Sequence, residues 1–344
     1  MASRYAAVHQ LPRGPGDLRP TAINIIRHED LEQRLSDKVV FVTECSSGIG
    51  AETALAFFLT GATLYLTAQS LPMARMVLRM AARRMPDLGT PDPGDIISND
   101  HVHFLELDIS SLESVRSCAA SFLSQSKTLD FLVCNTGLVM TPPEGRAESE
   151  FEKQFGTKHL AHFLLFNLLQ PALLAGATPR RASRVVISSS GGYRSSAPNS
   201  GNTNFEGNYD VMATHASRKT AILWMANEIE RRFGANGIHA WSVHPGAVSA
   251  DLHRHISIEQ MTLLRNNLYL APLFKSTSQG AATGVWAAMA SALEGQGGGY
   301  LENCQIAMPW DPSSATSTSG YGSHAYDQEK AAEFWAKSLE CVGL

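Results

Sequence analysis

Three stretches of this chain hold residues that could do chemistry together. His215 and Lys219 stand four apart in Met212–Phe233, an apolar-periodic run. On a helix that spacing puts both on one face. Imidazole titrates near neutral pH, so His215 can give or take a proton. An ammonium beside it lowers the pKa of such an acid and can hold a ribose hydroxyl. Ser188, Ser189 and Ser190 close a short β-branched run that begins at Arg184. A hydroxyl at a strand tip can hydrogen-bond a substrate carbonyl oxygen, although such serines also simply form turns. The third stretch is the turn Thr43-Glu44-Cys45-Ser46-Ser47-Gly48-Ile49-Gly50.

That turn joins a strand-like run, Val39–Thr43, to an alanine-rich helical run, Ala51–Leu59, and a second strand-like run, Ala62–Thr67. Strand, Gly-rich turn, helix and strand within about 30 residues form a βαβ unit. Its helix N-terminus offers free N–H groups and a positive dipole end to a phosphate. Glu44 departs from the pattern, because the first position of such a turn is ordinarily glycine and here it carries a carboxylate. Asp108 ends another strand-like run and could accept from an adenine amino group, or serve only as a turn carboxylate.

The remaining elements must position these groups. Strands are expected at Val102–Leu107, Phe131–Cys134, Arg184–Ser188, Gly237–Val243 and Asn303–Pro309. Helices are expected at Ala22–Leu35, Met73–Met85, Glu113–Ser126, Glu150–Leu174 (broken by Pro171), Met212–Phe233, Ser278–Ala292 and Gln328–Cys341. Strands alternating with helices imply an α/β fold: one doubly wound parallel sheet, helices on both faces. Ligands bind such sheets at the carboxyl ends of the strands, so the turns after Thr43, Asp108, Cys134, Ser190 and Val243 should share one cleft. The organisation read from the sequence is an N-terminal arm (1–36), a Rossmann-type domain (37–311) with a substrate lid near 249–277, and a C-terminal loop and helix (312–344).

Composition narrows the function classes. The chain has 344 residues, is 44% hydrophobic and 17% charged, and carries a formal net charge of −4. That supports a sizeable core. No basic run exceeds two residues, which argues against nucleic-acid binding. Five scattered cysteines without a CxxC pair suit reduced thiols better than a disulfide frame or metal site. No apolar run in the sequence reaches the roughly 18 residues of a membrane span. A cytoplasmic protein is expected.

The chain resembles the short-chain dehydrogenase/reductase family, in particular its retinol-dehydrogenase-like branch, over nearly its whole length. The landmarks are TECSSGIG (43–50), LDISSLESVR (107–116), CNTG (134–137), FEKQFGTKHLAHFLL (151–165), RVVISSS (184–190), FEGNYDVMATHASRKTA (205–221) and HPGAV (244–248). The resemblance implies a nicotinamide cofactor, NADP(H) in this branch, held by Thr43, Ser46, Ser47, Gly48, Ile49, Gly50, Gln69, Asp108, Asn135 and Lys219. It implies Ser190, His215, Lys219 and Lys158 as the catalytic set. His215 stands where the family has tyrosine, Lys158 where it has the proton-relay asparagine, Glu44 where it has the first glycine. Gln69 stands where the branch carries an arginine for the NADP 2′-phosphate.

Three functions follow from the residues and the resemblance. One is NADP(H)-dependent carbonyl reduction or alcohol oxidation on a hydrophobic small molecule, with His215 as the acid, in secondary metabolism. A second is a redox-silent enzyme using the same imidazole, amine and hydroxyl for isomerisation, dehydration or cyclisation. The third is a non-catalytic binding or partner subunit. The apolar segment Ser249–Thr277 suits a large apolar ligand. The two long helices resemble those the family uses in homodimers.

Overall fold

A computed structural model describes residues 4–46, 48–84, 95–135, 148–195, 211–248, 259, 262–263, 266–311, 313 and 319–344, with backbone only for 95, 148–158, 195 and 211–215. Its centre is one sheet of eight strands: β1 Val39–Val42, β2 Thr63–Ala68, β3 Val102–Glu106, β4 Phe131–Cys134, β5 Ser183–Ser188, β6 Ile238–His244, β7 Gly299–Glu302 and β8 Gln305–Ile306. The spatial order is β3-β2-β1-β4-β5-β6-β7-β8. All pairs are parallel except β7 with β8. The central strands are buried almost throughout, as strands covered on both faces must be. Strand order reverses between β1 and β4, which puts the ligand crevice at their carboxyl ends.

Helices fill both faces. On one lie α1 Ala6–Gln10, α2 Ala22–His28, α3 Gly48–Leu59, α4 Leu71–Arg83 and α5 Asp95–Ser98. On the other lie α6 Leu112–Gln125, α7 Glu148–Gly176 and α8 Val211–Phe233. Then α9 Thr277–Met289 joins the first face and α10 Gln328–Val342 the second. Serine side chains start several of them by accepting an N–H bond of the first turn. Ser70 caps α4, Ser111 caps α6, and Ser276 forms a capping box with Gln279 on α9.

Three expected elements differ. The helix begun at Ala22 ends at His28, because Asp30 and Gln33 turn left-handed (φ 55° each) and carry Leu35 to a bond with the Thr60 carbonyl. Pro171 does not break α7. A mid-helix proline costs about 3 kcal/mol, which the fully buried Phe166, Leu169, Ala172 and Leu173 around it offset. Of the expected strand Asn303–Pro309 only Gln305–Ile306 forms, as β8. Asn303 and Cys304 are both left-handed (φ 54° and 53°) and fold β7 back onto β8 as a tight hairpin.

The two ends of the chain are built into the same body. Tyr5, Ala22, Ile25, Ile26 and Leu35 belong to the core that holds α3 and α9. Arg19 is buried, pairs with Asp17 at 2.8 Å, and donates to the carbonyls of Gly14, Leu273 and Phe274. At the other end, Trp335 of α10 packs edge-on against Phe163 of α7 (4.7 Å between ring centroids), and Phe334 against Trp224 of α8. Thus α10 covers the outer face of α7 and α8. A homodimer through those two helices requires α10 to give way.

Candidate active site

The turn after β1 keeps the path of a glycine turn without its first glycine. Glu44 takes φ 55°, the left-handed region that glycine enters freely and other residues enter at a cost. A Cβ at Gly50 would overlap the Glu44 carbonyl, so glycine is required there for α3 to start so close to β1. Thr43 is buried and tied across the switch point. Its hydroxyl donates to the Asn135 carbonyl (3.1 Å), while the Asn135 side-chain amide donates back to the Thr43 carbonyl (3.1 Å). The start of α3 with Ser46, Gly48, Ile49 and Gly50 is thereby fixed beside Asn135. Ser47 lies outside the described residues.

Gln69 and Asp108 end the neighbouring strands and meet. The Gln69 amide donates to one Asp108 oxygen at 3.1 Å. The other oxygen accepts from the N–H and hydroxyl of Ser110, at 2.8 and 2.6 Å. Asp108 is therefore a turn carboxylate, bonded across to Gln69 at the end of the neighbouring strand.

The three serines at the tip of β5 have separate fates. Ser189 is buried and its hydroxyl donates to the Lys219 carbonyl at 2.9 Å, joining β5 to α8. The Ser188 hydroxyl donates to Asn135. Ser190 is half-buried, and its oxygen accepts the Gly192 N–H at 3.2 Å. Of the three it is the least buried. Lys219 is buried, with Nζ 3.4 Å from the Ser188 carbonyl. The lysine and the serine strand tip thus share one place. His215 sits one helical turn before Lys219 in α8, and Lys158 lies in α7; the side chains of both lie outside the described residues.

The segment after Ser190 is held from below. Tyr193 is fully buried; its hydroxyl accepts from the Gly322 N–H, and its carbonyl accepts from Thr220. Arg194 pairs with Glu302 at 3.0 Å and donates to the Gly320 carbonyl. The chain beyond 319 therefore braces the strand tip that carries Ser190.

Sequence reasoning missed two titratable groups here. His244 closes β6; its Nδ1 accepts the Gly246 N–H at 3.3 Å, and a Cβ on Gly191 would stand 3.2 Å from its Nε2. Burial and the nearby Lys275, Arg194 and Lys219 push its pKa down to about 3, so the ring is neutral. Lys275 lies under the same turn, its stem against Gly246 and its Nζ donating to Asn303 at 3.0 Å. Burial pulls its pKa down to about 8. The signal for both was the His-Pro-Gly turn, which shows that a strand ends but not what packs against its end.

A doubly wound sheet with a glycine-type turn at its switch point, and a lysine beside a serine-bearing strand tip, defines a dinucleotide-fold oxidoreductase. Comparison with known proteins narrows the class. The family model described as short chain dehydrogenase matches residues 38–260. Short-chain dehydrogenase/reductase prx1 of Penicillium roqueforti is 38% identical over 341 residues, covering 99% of this chain and 95% of that protein. Retinol dehydrogenase 14 of Homo sapiens is 33% identical over 316 residues, 89% of this chain and 87% of its own. A solved structure of an uncharacterized protein from Mycobacterium Paratuberculosis superposes with TM-score 0.61 at 25% identity, over 91% of this chain and 96% of that one. The RhlG/NADP complex of Pseudomonas aeruginosa shares the fold with TM-score 0.59 at 20% identity, over 77% and 94%. The chain belongs to the short-chain dehydrogenase/reductase family, in its retinol-dehydrogenase-like branch.

Proposed function

We propose that this chain is an NADP(H)-dependent oxidoreductase that reduces a carbonyl, or oxidises the matching alcohol, on a hydrophobic small molecule of secondary metabolism. One observation carries the reading: Lys219 is buried at the strand tip that bears Ser190, with Nζ 3.4 Å from the Ser188 carbonyl. The residues present fit a nicotinamide dinucleotide. Glu44 adopts the left-handed backbone of a glycine turn, and Gly50 leaves the close approach open. Ser46, Ser47, Gly48, Ile49 and Gly50 would hold the phosphates, Asn135 and Lys219 the inner ribose, Gln69 and Asp108 the adenosine end. Such a cofactor, when bound, supplies or accepts the hydride.

The chain's own residues manage the proton. Ser190 donates a hydrogen bond to the substrate oxygen. His215 gives or takes the proton on that oxygen, in the place the family gives to tyrosine. The Lys219 charge keeps His215 from holding its proton too tightly, and Lys158 adds to that field.

A second reading is favoured by Glu44. A carboxylate about 5 Å from a pyrophosphate costs of order 1–3 kcal/mol at an effective dielectric near 20. With the cofactor weakened, His215, Lys219 and Ser190 still form an acid, an amine and a hydroxyl suited to isomerisation, dehydration or cyclisation without redox change. Titration with NADPH and with NADH, followed by nicotinamide fluorescence, separates the two. Saturable NADPH binding supports the oxidoreductase; no binding at millimolar cofactor removes it. His215→Phe should abolish turnover under both readings, and turnover unchanged in that variant would refute His215 as the acid.

A further inference from the structure

The proposed chemistry leaves one polar atom at the strand tips unused, the Nε2 of His244. Strands β5 and β6 pair in parallel up to Ser188 and Val243, and the Ser189 N–H still donates to the Val243 carbonyl at 2.7 Å. His244 and the serine tip therefore leave the sheet side by side, at its carboxyl edge. The ring is held from behind. Its Nδ1 accepts the Gly246 N–H at 3.3 Å, so Nδ1 carries no proton and the ring's one N–H is on Nε2. Burial, with Lys275, Arg194 and Lys219 around the ring, opposes a second proton. The other edge of the ring lies over Gly191, the residue after Ser190. A Cβ on Gly191 would stand 3.2 Å from Nε2 and 3.4 Å from Cδ2. Glycine thus leaves that edge uncovered. His244 is half-buried, and among the described residues its Nε2 has no hydrogen-bond partner and is not enclosed. An N–H fixed in direction, without a protein acceptor and open to the outside, is a place for an acceptor that arrives from outside.

We propose that His244 is a catalytic residue whose Nε2–H donates a hydrogen bond to the substrate oxygen, as a second fixed donor beside Ser190. When a carbonyl carbon receives a hydride, its oxygen gains negative charge. When a carbonyl compound enolises, its oxygen gains the same charge. A donor already aimed at that oxygen stabilises the charge as it develops, without reorganising. A neutral imidazole whose Nδ1 is occupied gives up no proton, so it does not compete with His215. The acid that titrates and the donor that does not are separate residues, on α8 and at the end of β6.

This assignment rests on the proposed function only in taking the reacting group to be an oxygen on a hydrophobic molecule, and it holds with or without hydride transfer. Arg194 and Lys275 do not fill the role. The Arg194 guanidinium is bound to Glu302 and to the Gly320 carbonyl. Lys275 is buried under the turn, with its Nζ on Asn303. The Ser188 and Ser189 hydroxyls are spent on Asn135 and on the Lys219 carbonyl.

The test is nitrogen-15 NMR of the full chain labelled at histidine, with NADP⁺ present so that a ketone is bound but not reduced. The His244 signals are those lost in His244→Gln. They should show a neutral ring with its proton on Nε2 at pH 7. Titration with 2-acetonaphthone should shift the Nε2–H resonance saturably. Titration with 2-ethylnaphthalene, of the same shape but without the oxygen, should not. In steady-state assays with NADPH and 2-acetonaphthone, His244→Phe should lower kcat by about 10²–10³-fold. His244→Gln, which keeps an N–H, should recover at least tenfold of that loss. Gly191→Ala, which sets a methyl against Nε2, should lower kcat with His244 in place. The NADPH dissociation constant should stay within about twofold in all three, since none touches the phosphate turn. A proton on Nδ1, or an Nε2–H resonance that the ketone does not move, overturns the proposal. So do equal losses in the Phe and Gln variants, since His244 would then only pack the turn. A resonance that the ketone moves in a chain that oxidises no NADPH refutes the oxidoreductase reading and supports the donor.

Discussion

Replacing Glu52 by glutamine should stabilise the protein in a pH-dependent way. Glu52 lies in the second turn of α3, buried against the start of α9; one carboxyl oxygen accepts from Thr277 at 3.4 Å and the other has no hydrogen-bond partner. Burial pushes its pKa up from 4.5 to about 7. In the unfolded chain the group ionises near its ordinary value, so between pH 4.5 and 7 the folded state holds a proton that the unfolded state has lost. Stability therefore falls as pH rises through that window. One pKa unit is worth about 1.4 kcal/mol, so a rise from 4.5 to about 7 amounts to about 3 kcal/mol above pH 7. Glutamine cannot ionise and does not bear this cost. Its amide N–H₂ would take the place of the unpartnered oxygen, which costs about 1–2 kcal/mol at every pH. The pH dependence, not the absolute shift, is therefore the signature. By differential scanning, the melting temperature of Glu52→Gln relative to wild type should rise by about 4 °C between pH 5 and pH 8, taking roughly 1–1.5 °C per kcal/mol for a chain of this size. The same difference at both pH values would refute the assignment of an ionising, desolvated carboxyl at this position.

Two more substitutions probe the site and its support. Glu44→Gly removes a carboxylate and the left-handed strain of a non-glycine residue, and should tighten NADPH binding tenfold or more in a fluorescence titration. An unchanged dissociation constant would mean that the side chain turns away from the phosphates. Trp335→Ala should cost about 3–5 kcal/mol in urea denaturation, because it empties the buried contact of α10 with Phe163 and Phe166. The wild-type chain should run as a monomer in gel filtration with light scattering, and loosening of α10 in the variant should promote self-association through α7 and α8. A wild-type dimer would contradict the covering role of α10.

Much of the fold is legible in local patterns. Short β-branched runs such as Val39–Val42 and Phe131–Cys134 are too short for helices and are bounded by turn residues, so their state follows from their own composition. Ser111 marks the start of α6 because its hydroxyl satisfies an N–H that any helix start leaves free. Where reading failed, a distant contact had overruled a local cue. Pro171 should end a helix, yet buried neighbours on both sides hold α7 straight through it. Asn303-Cys304 lacks the glycine that announces a hairpin, yet the Lys275–Asn303 hydrogen bond and the β7–β8 pairing keep both residues left-handed.

The candidate site divides the same way. Spacing alone puts His215 and Lys219 on one helical face, and composition alone marks the turn before Gly48 as a phosphate cradle with a foreign carboxylate in it. These are properties of neighbours in the chain, set by the 3.6-residue turn and by the free N–H groups of a helix start. Which of three adjacent serines is tied into the packing was decided only when β5 met its neighbours, since Ser189 donates to the Lys219 carbonyl and Ser188 to Asn135, while Ser190 stays half-buried. The neutral His244 and the buried Lys275 beneath it likewise exist only once strands and hairpin have met. Burial and charge neighbours are sums over the whole packed molecule, and no window of sequence contains them.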